Sequence, residues 1–244
     1  MWRTPSQRGH ELFSVTECGD GCSALVFDQY RSRHPQPGCH GACLFIPDTY
    51  SPTYSYPLVV SLHDDEASED RLWNWFPRIS ENNFLGLGLR GPFPSRIGMP
   101  GQYRWIGRRP DASQAVIRNS IQATTSEWNV HPDRIVLFGE GNGAIVALQQ
   151  FLLAQSNPED SSPRLSGVIC LNLPPCWPRL LPPVQDLLEG RMLLLDPVQH
   201  VEALAALDGL AEAGIDVTLH DQPDQSISSA INYWMMAAIS TVVY

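Results

Sequence analysis

The chain has 244 residues, of which 43% are hydrophobic and 17% charged, with a formal net charge of −10. This composition excludes a disordered chain and is enough for one large core. The acidic balance disfavours nonspecific binding to nucleic acid or an anionic membrane. All sixteen basic residues are arginine, which excludes lysine Schiff-base chemistry and a Walker-type phosphate grip.

The first ten residues lack the apolar centre of a secretory signal, and no apolar run approaches the length of a membrane span. The nearest, Trp234 to Tyr244, reads as a buried terminal helix. A soluble, cytoplasmic protein is expected. The six cysteines fit that expectation as small buried hydrophobes.

Residues 1–21 are polar and without period, and read as a loosely ordered lead-in. Strands are expected at Ser23 to Phe27, at Ala42 to Ile46 and at Leu58 to Leu62. The last is apolar at nearly every position, as a strand buried on both faces should be. An acidic loop, Asp64 to Asp70, reads as solvated and leads into a helix at Arg71 to Phe76. Phe84 to Leu89 is the next strand. Residues 91–110, rich in Gly, Pro and Arg, form a long loop of the kind that serves as a lid or rim. Ala112 to Trp128 reads as a helix and Asn129 to Asp133 as a turn. Then come a strand at Ile135 to Phe138, a glycine-dense turn at Gly139 to Gly143, and an apolar helix. Further strands are expected at Gly167 to Leu171, Met192 to Leu195 and Ile215 to Leu219. Helices are expected at Val198 to Ala213 and Ser226 to Val243. Strands alternating with helices argue for a mostly parallel sheet covered on both faces. With no repeat and no linker, residues 1–244 read as one α/β domain.

Four segments stand in a recognisable order. Tyr56-Pro-Leu-Val-Val-Ser-Leu-His-Asp64 is a strand ending in His-Asp. Asn129-Val-His-Pro-Asp-Arg-Ile-Val-Leu-Phe-Gly139 leads into the glycine turn. Arg191-Met-Leu-Leu-Leu-Asp-Pro-Val198 is a strand ending in an acid, and the run from Gly214 to Ile227 is a last strand and loop. Together they resemble the α/β hydrolases, specifically the carboxylesterase and phospholipase-like esterase group, over roughly residues 40–244. The resemblance implies the α/β-hydrolase fold and a Gly-x-Ser-x-Gly nucleophile elbow served by a histidine and an acid.

Mapped onto that pattern, the nucleophile position is Gly141, which has nothing to attack with. The acid position is Asp196, and the histidine position is Gln225, which cannot act as a base. His63-Asp64 replaces the His-Gly of the oxyanion loop, putting a carboxylate where negative charge should be stabilised. His63, Asp64, Glu140 and Asn142 are the vestigial oxyanion and pocket residues. A serine at an elbow is held in a strained conformation costing on the order of 1–3 kcal/mol, which glycine relieves. The resemblance therefore implies a pseudoenzyme.

Other constellations have ordinary readings beside the functional ones. The glycine string is a poor dinucleotide loop without an acidic ribose partner. Cys18-x-x-x-Cys22 and Cys39-x-x-x-Cys43 have a longer spacing than the two-residue zinc knuckle and read as buried or incidental thiols. His200 reads as exposed, while His220, at the end of the last strand, is the alternative to Gln225 as the site's histidine. Trp73, Trp75 and Phe76 read as helix packing rather than a substrate platform. No cofactor, metal, nucleic acid or membrane is expected. Three functions stay open. The chain is a non-catalytic protein binding a small ligand or a partner, or serving as a scaffold; an active hydrolase with an unrecognised nucleophile; or an assembly subunit, a homodimer included.

Overall fold

The computed structural model describes residues 11–18, 22–28, 40–95, 100–107, 110–156, 163–183, 188–195, 201–220 and 226–240. Among the described residues nine strands form the main sheet. They are β1 (Glu11–Cys18), β2 (Cys22–Asp28), β3 (His40–Phe45), β4 (Tyr56–Leu62), β5 (Leu85–Leu89), β8 (Val130–Glu140), β9 (Leu165–Leu171), β10 (Arg191–Leu195) and β11 (Asp216–His220). Their spatial order is β11-β10-β9-β8-β4-β5-β3-β1-β2, and β6 (Phe93–Pro94) and β7 (Tyr103–Arg104) form a separate ribbon. The run from β11 to β5 is parallel, while β3, β1 and β2 join antiparallel. The sheet is thus mostly parallel, as expected.

Side chains alternate across the strands, as a period of two requires. Leu58, Val60 and Leu62 of β4, Ile135 and Leu137 of β8, and Met192 and Leu194 of β10 enter one core. This core is shared with α2 (Pro110–Glu127), α3 (Asn142–Ser156) and α4 (Val201–Glu212). Val59, Val136, Phe138, Leu193 and Leu195 enter the opposite core, against α1 (Phe76–Ile79) and α5 (Ile227–Ser240). Each such buried aliphatic contributes about 1.5–3 kcal/mol. Strand β5 reads Leu-Gly-Leu-Gly-Leu for a packing reason. A Cβ at Gly86 would lie 2.1 Å from the Phe76 ring, and one at Gly88 would lie 2.0 Å from Leu72. The glycines let both side chains pack directly on the strand's backbone.

Three expectations change. The lead-in over residues 1–21 contains β1, paired to β3. The helix expected over Arg71 to Phe76 is a 3₁₀ segment, Glu69–Asn74, followed by α1. Pro77 lies in the first turn of α1, where its missing N–H is tolerated, whereas inside a longer helix it would clash with the preceding turn. The expected turn at Asn129 to Asp133 belongs mostly to β8, whose first residues pair with Tyr56 across a register shift. Phe76 is fully buried, and Trp73 and Trp75 pack on the same core, so the aromatic set is packing. Among the described residues no helix is long and apolar enough to cross a membrane.

From β4 the chain moves outward to β5, and from β8 it moves the other way through β9 to β11. The order therefore reverses between β4 and β8. In open α/β sheets the crevice beyond the carboxyl ends of strands at such a reversal is where ligands bind.

Candidate functional site

Leu62, the last residue of β4, pairs with Gly139 of β8. His63-Asp64-Asp65 and Glu140-Gly141-Asn142 therefore leave the sheet side by side at that crevice. The glycines of the turn have distinct causes. A Cβ at Gly139 would sit 2.3 Å from the backbone of Ala144, and one at Gly143 would sit 2.3 Å from the carbonyl oxygen of His63. Both are needed for α3 to start this close to the sheet. Gly141 has φ of +57°, the left-handed region that L side chains occupy only under strain. The turn proper is this one residue, since α3 begins at Asn142.

The space above Gly141 is filled. A Cβ built there would lie 2.1 Å from both Cγ and Oδ1 of Asp64. Asp64 Oδ1 accepts the backbone N–H of Asn142 at 2.8 Å and that of Asp65 at 2.8 Å. The side-chain amide of Asn142 donates to Asp65 Oδ2 at 2.9 Å. Two backbone N–H groups, one opening α3 and one from the loop after β4, thus converge on a carboxylate of the chain itself. The carboxylate also caps α3: Gly141 has no side chain to accept an N-terminal N–H, and Asp64 supplies the acceptor, with favourable charge at the helix's positive end.

Glu140 is buried and accepts from Arg71 Nε and Nη2, each at 3.1 Å. This two-pronged contact raises the proton affinity of Arg71 further. Glu140 is clamped beneath the partly exposed guanidinium of Arg71.

His63 is buried. Its Nδ1 donates to the carbonyl oxygen of Asp64 at 2.6 Å, and its Nε2 accepts the N–H of Gly91 at 3.0 Å. Burial lowers its pKa, so the ring is neutral with the proton on Nδ1. No lone pair is left over for taking a proton from a substrate. Its carbonyl oxygen accepts the indole N–H of Trp105 at 3.0 Å. His63 thus ties the end of β4 to the segment around Gly91 and Trp105.

The acidic loop is not the solvated stretch expected from sequence. Buried Glu69 pairs with Arg90, whose Nε donates to Glu69 Oε2 at 2.7 Å, and that guanidinium stacks 4.6 Å from the Tyr103 ring centroid. Glu66, with φ of +61°, donates its N–H to the Tyr103 carbonyl at 2.9 Å and accepts from the Ser95 hydroxyl. The β6–β7 ribbon is thereby fastened over the loop. Asp70 accepts the Cys43 thiol at 3.5 Å. Burial, then the charges of Glu69 and Asp70, push that thiol's pKa up, so Cys43 stays protonated and unsuited to a metal, which needs the thiolate. Among the described residues no group of three or more His, Cys, Asp or Glu side chains could hold a metal ion.

Asp196, Gln225, His200 and Cys39 lie outside the described residues. His220 is described. Glu140 pairs with Leu171, Leu171 with Leu195, and Leu195 with His220. His220 therefore stands in the same row as Glu140 but three strands away, roughly 14 Å at about 4.8 Å per strand. That is beyond direct hydrogen-bonding reach of Gly141 for an imidazole. Arg71 and Asp65 were overlooked in the sequence. Their signal was charge, an arginine and an extra acid in the loop opposite Glu140 and Asn142, with nothing in the chain order to pair them.

No protein-family model matches the chain, and none of the curated proteins does. Solved structures do. A carboxylesterase from Mesorhizobium loti superposes with a TM-score of 0.61 at 19% identity, covering 81% of this chain and 94% of the other. A carboxylesterase from Bacillus cereus gives 0.58 at 16%, covering 82% and 94%. A bacterial heroin esterase gives 0.60 at 12%, covering 95% and 82%. At these identities the likeness establishes the fold. The chain has the α/β-hydrolase fold.

Proposed function

We propose that this protein is a non-catalytic relative of the α/β-hydrolase esterases, working in the cytoplasm as a ligand- or partner-binding or scaffold protein. One observation carries the reading: the Asp64 carboxylate stands where the side chain of residue 141 would begin and holds the two N–H groups that an oxyanion would need. Acyl transfer requires a nucleophile at attack distance and donors free to receive the charge that develops. Gly141 offers no nucleophile. The donors already carry a negative oxygen, which repels a second one. His63 has both ring nitrogens engaged. On this reading Asp196 and Gln225 are the remnants of the acid and histidine positions, and glutamine is no base near neutral pH. His63, Asp64, Glu140 and Asn142 are then the vestige of the oxyanion loop and pocket. The free thiols of Cys43, Cys170 and Cys176 support a reducing compartment.

The test is labelling with a serine-reactive fluorophosphonate, read by intact mass. The expected result is an unmodified protein under conditions that fully label an active serine esterase. A stoichiometric adduct on any residue would sink the reading.

A further inference from the structure

Strand β11 ends the sheet on one side and, among the described residues, nothing pairs with its outer edge. A free edge is a template for another strand, and native sheets guard it with bulges, prolines or lysines. Strand β11, Asp216-Val-Thr-Leu-His220, has none of these and keeps an unbroken register against β10. The N–H of Asp216 turns inward, donating to the Gly190 carbonyl at 3.0 Å. Backbone groups alternate along a strand, so those of Val217 and Leu219 face outward. We infer that two copies of this chain pair antiparallel along β11, about a two-fold axis at Thr218, and join their sheets into one.

The edge is its own complement, which is what a two-fold interface requires. An axis at Thr218 sets Val217 opposite Leu219 of the second copy. Residues paired in this way exchange both N–H···O bonds, and these are the residues whose groups face outward. A shift of one residue would set an outward-facing residue against an inward-facing one. An axis at Val217 or Leu219 would satisfy the ladder but shorten the seam and separate Asp216 from His220. With the axis at Thr218, those two stand opposite each other on one face of the sheet, an acid beside an imidazole. Aliphatic meets aliphatic on the other face, and such directly opposed pairs are what stabilise a sheet. The Asp216 side chain is 60% exposed despite its bond from Arg191 Nε, and Leu219 is 47% exposed, so both have surface to give up. Helix α4 extends the apolar seam. Glu202 reaches Arg179 in the 3₁₀ turn Trp177–Leu180, which abuts α3 through Gln149, so that flank of α4 faces the interior of the sheet. Leu204, exposed, is two residues on and about 200° round the helix, on the flank toward the seam. The inference stands whether or not the crevice is catalytic.

Sedimentation velocity of the full chain, from micromolar to sub-millimolar concentration in physiological salt, is the test. The wild type is expected to approach twice the 27.1 kDa of the chain. Leu219→Pro removes an N–H that faces outward and leaves the bonds to β10 in place, so it should be monomeric. His220→Asp sets carboxylate against carboxylate twice and should raise the dissociation constant by about tenfold. Adding Asp216→His to His220→Asp exchanges the two partners and should restore the dimer. If Leu219→Pro does not fold, the charge exchange carries the test. Amide hydrogen exchange reports the seam itself: Val217 and Leu219 should become protected as protein concentration rises. A wild type that stays at 27.1 kDa overturns the inference, as does a dimer that neither Leu219→Pro nor His220→Asp weakens. Protection of Val217 and Leu219 that is independent of concentration would mean that a segment of the same chain covers the edge, and overturns it too.

Discussion

Adding one methyl group at Gly141 should cost stability in two separable parts. Gly141→Ala keeps φ at +57°, and an L residue in the left-handed region costs about 1–2 kcal/mol. The new Cβ, 2.1 Å from Asp64 Cγ, also forces the carboxylate out. Asp64 then loses the N–H groups of Asn142 and Asp65, and loss of a capping acceptor of this kind costs about 0.5–2 kcal/mol. Together the substitution should destabilise the protein by roughly 1.5–4 kcal/mol. A double-mutant cycle measured by urea unfolding separates the parts. Asp64→Gly alone should cost the capping term. Gly141→Ala made in that background should cost only the backbone term, about 1–2 kcal/mol. The coupling between residues 64 and 141 should then be about 1 kcal/mol or more. Additivity within about 0.5 kcal/mol, the value for sites that do not touch, would refute the claim that Asp64 occupies the place of a side chain at 141.

Other parts of the site make independent predictions. Burial lowers the His63 pKa below its ordinary 6.5, so above that pH both folded and unfolded states hold it neutral. As pH falls below about 6.5 the unfolded state takes up the proton first, and stability is lost. The urea midpoint should therefore drop between pH 7.5 and 5.5, and His63→Gln should flatten part of that slope; an unchanged slope would remove His63 from the account. Glu69→Ala strands Arg90 in a buried setting and should cost about 3–5 kcal/mol. Glu202→Ala, which breaks a solvent-exposed contact with Arg179, should leave the unfolding midpoint unchanged. Equal effects of the two substitutions would contradict the burial argument.

Much of this architecture is written in local pattern. The unbroken apolar run of β4, the alternating glycines of β5 and the glycine-dense turn after β8 each obey a rule that operates within a few residues, so sequence reading places them. Pro77 also carries a local signal, the break between the 3₁₀ segment and α1. At the site, the glycine at position 141 is a single-residue fact. The role of Asp64 is not, because it depends on residue 64 meeting Asn142 across 78 positions of chain. Glu69 and Arg90, and likewise Arg71 and Glu140, are paired only once β4, β5 and β8 lie side by side. The acidic loop therefore looked solvated, because its counterions and donors belong to other strands. His220 was judged by its distance along the chain from the loop, whereas its distance from Gly141 is set by the order of strands in the sheet.

The central claim, that the elbow no longer performs acyl transfer, is tested most directly by turnover of a short-chain aryl ester at high protein concentration. Wild-type protein and Asp64→Asn are compared with buffer. The account predicts hydrolysis with no saturable component and no initial burst proportional to protein. A saturable rate that scales with wild-type protein and survives repurification would contradict it.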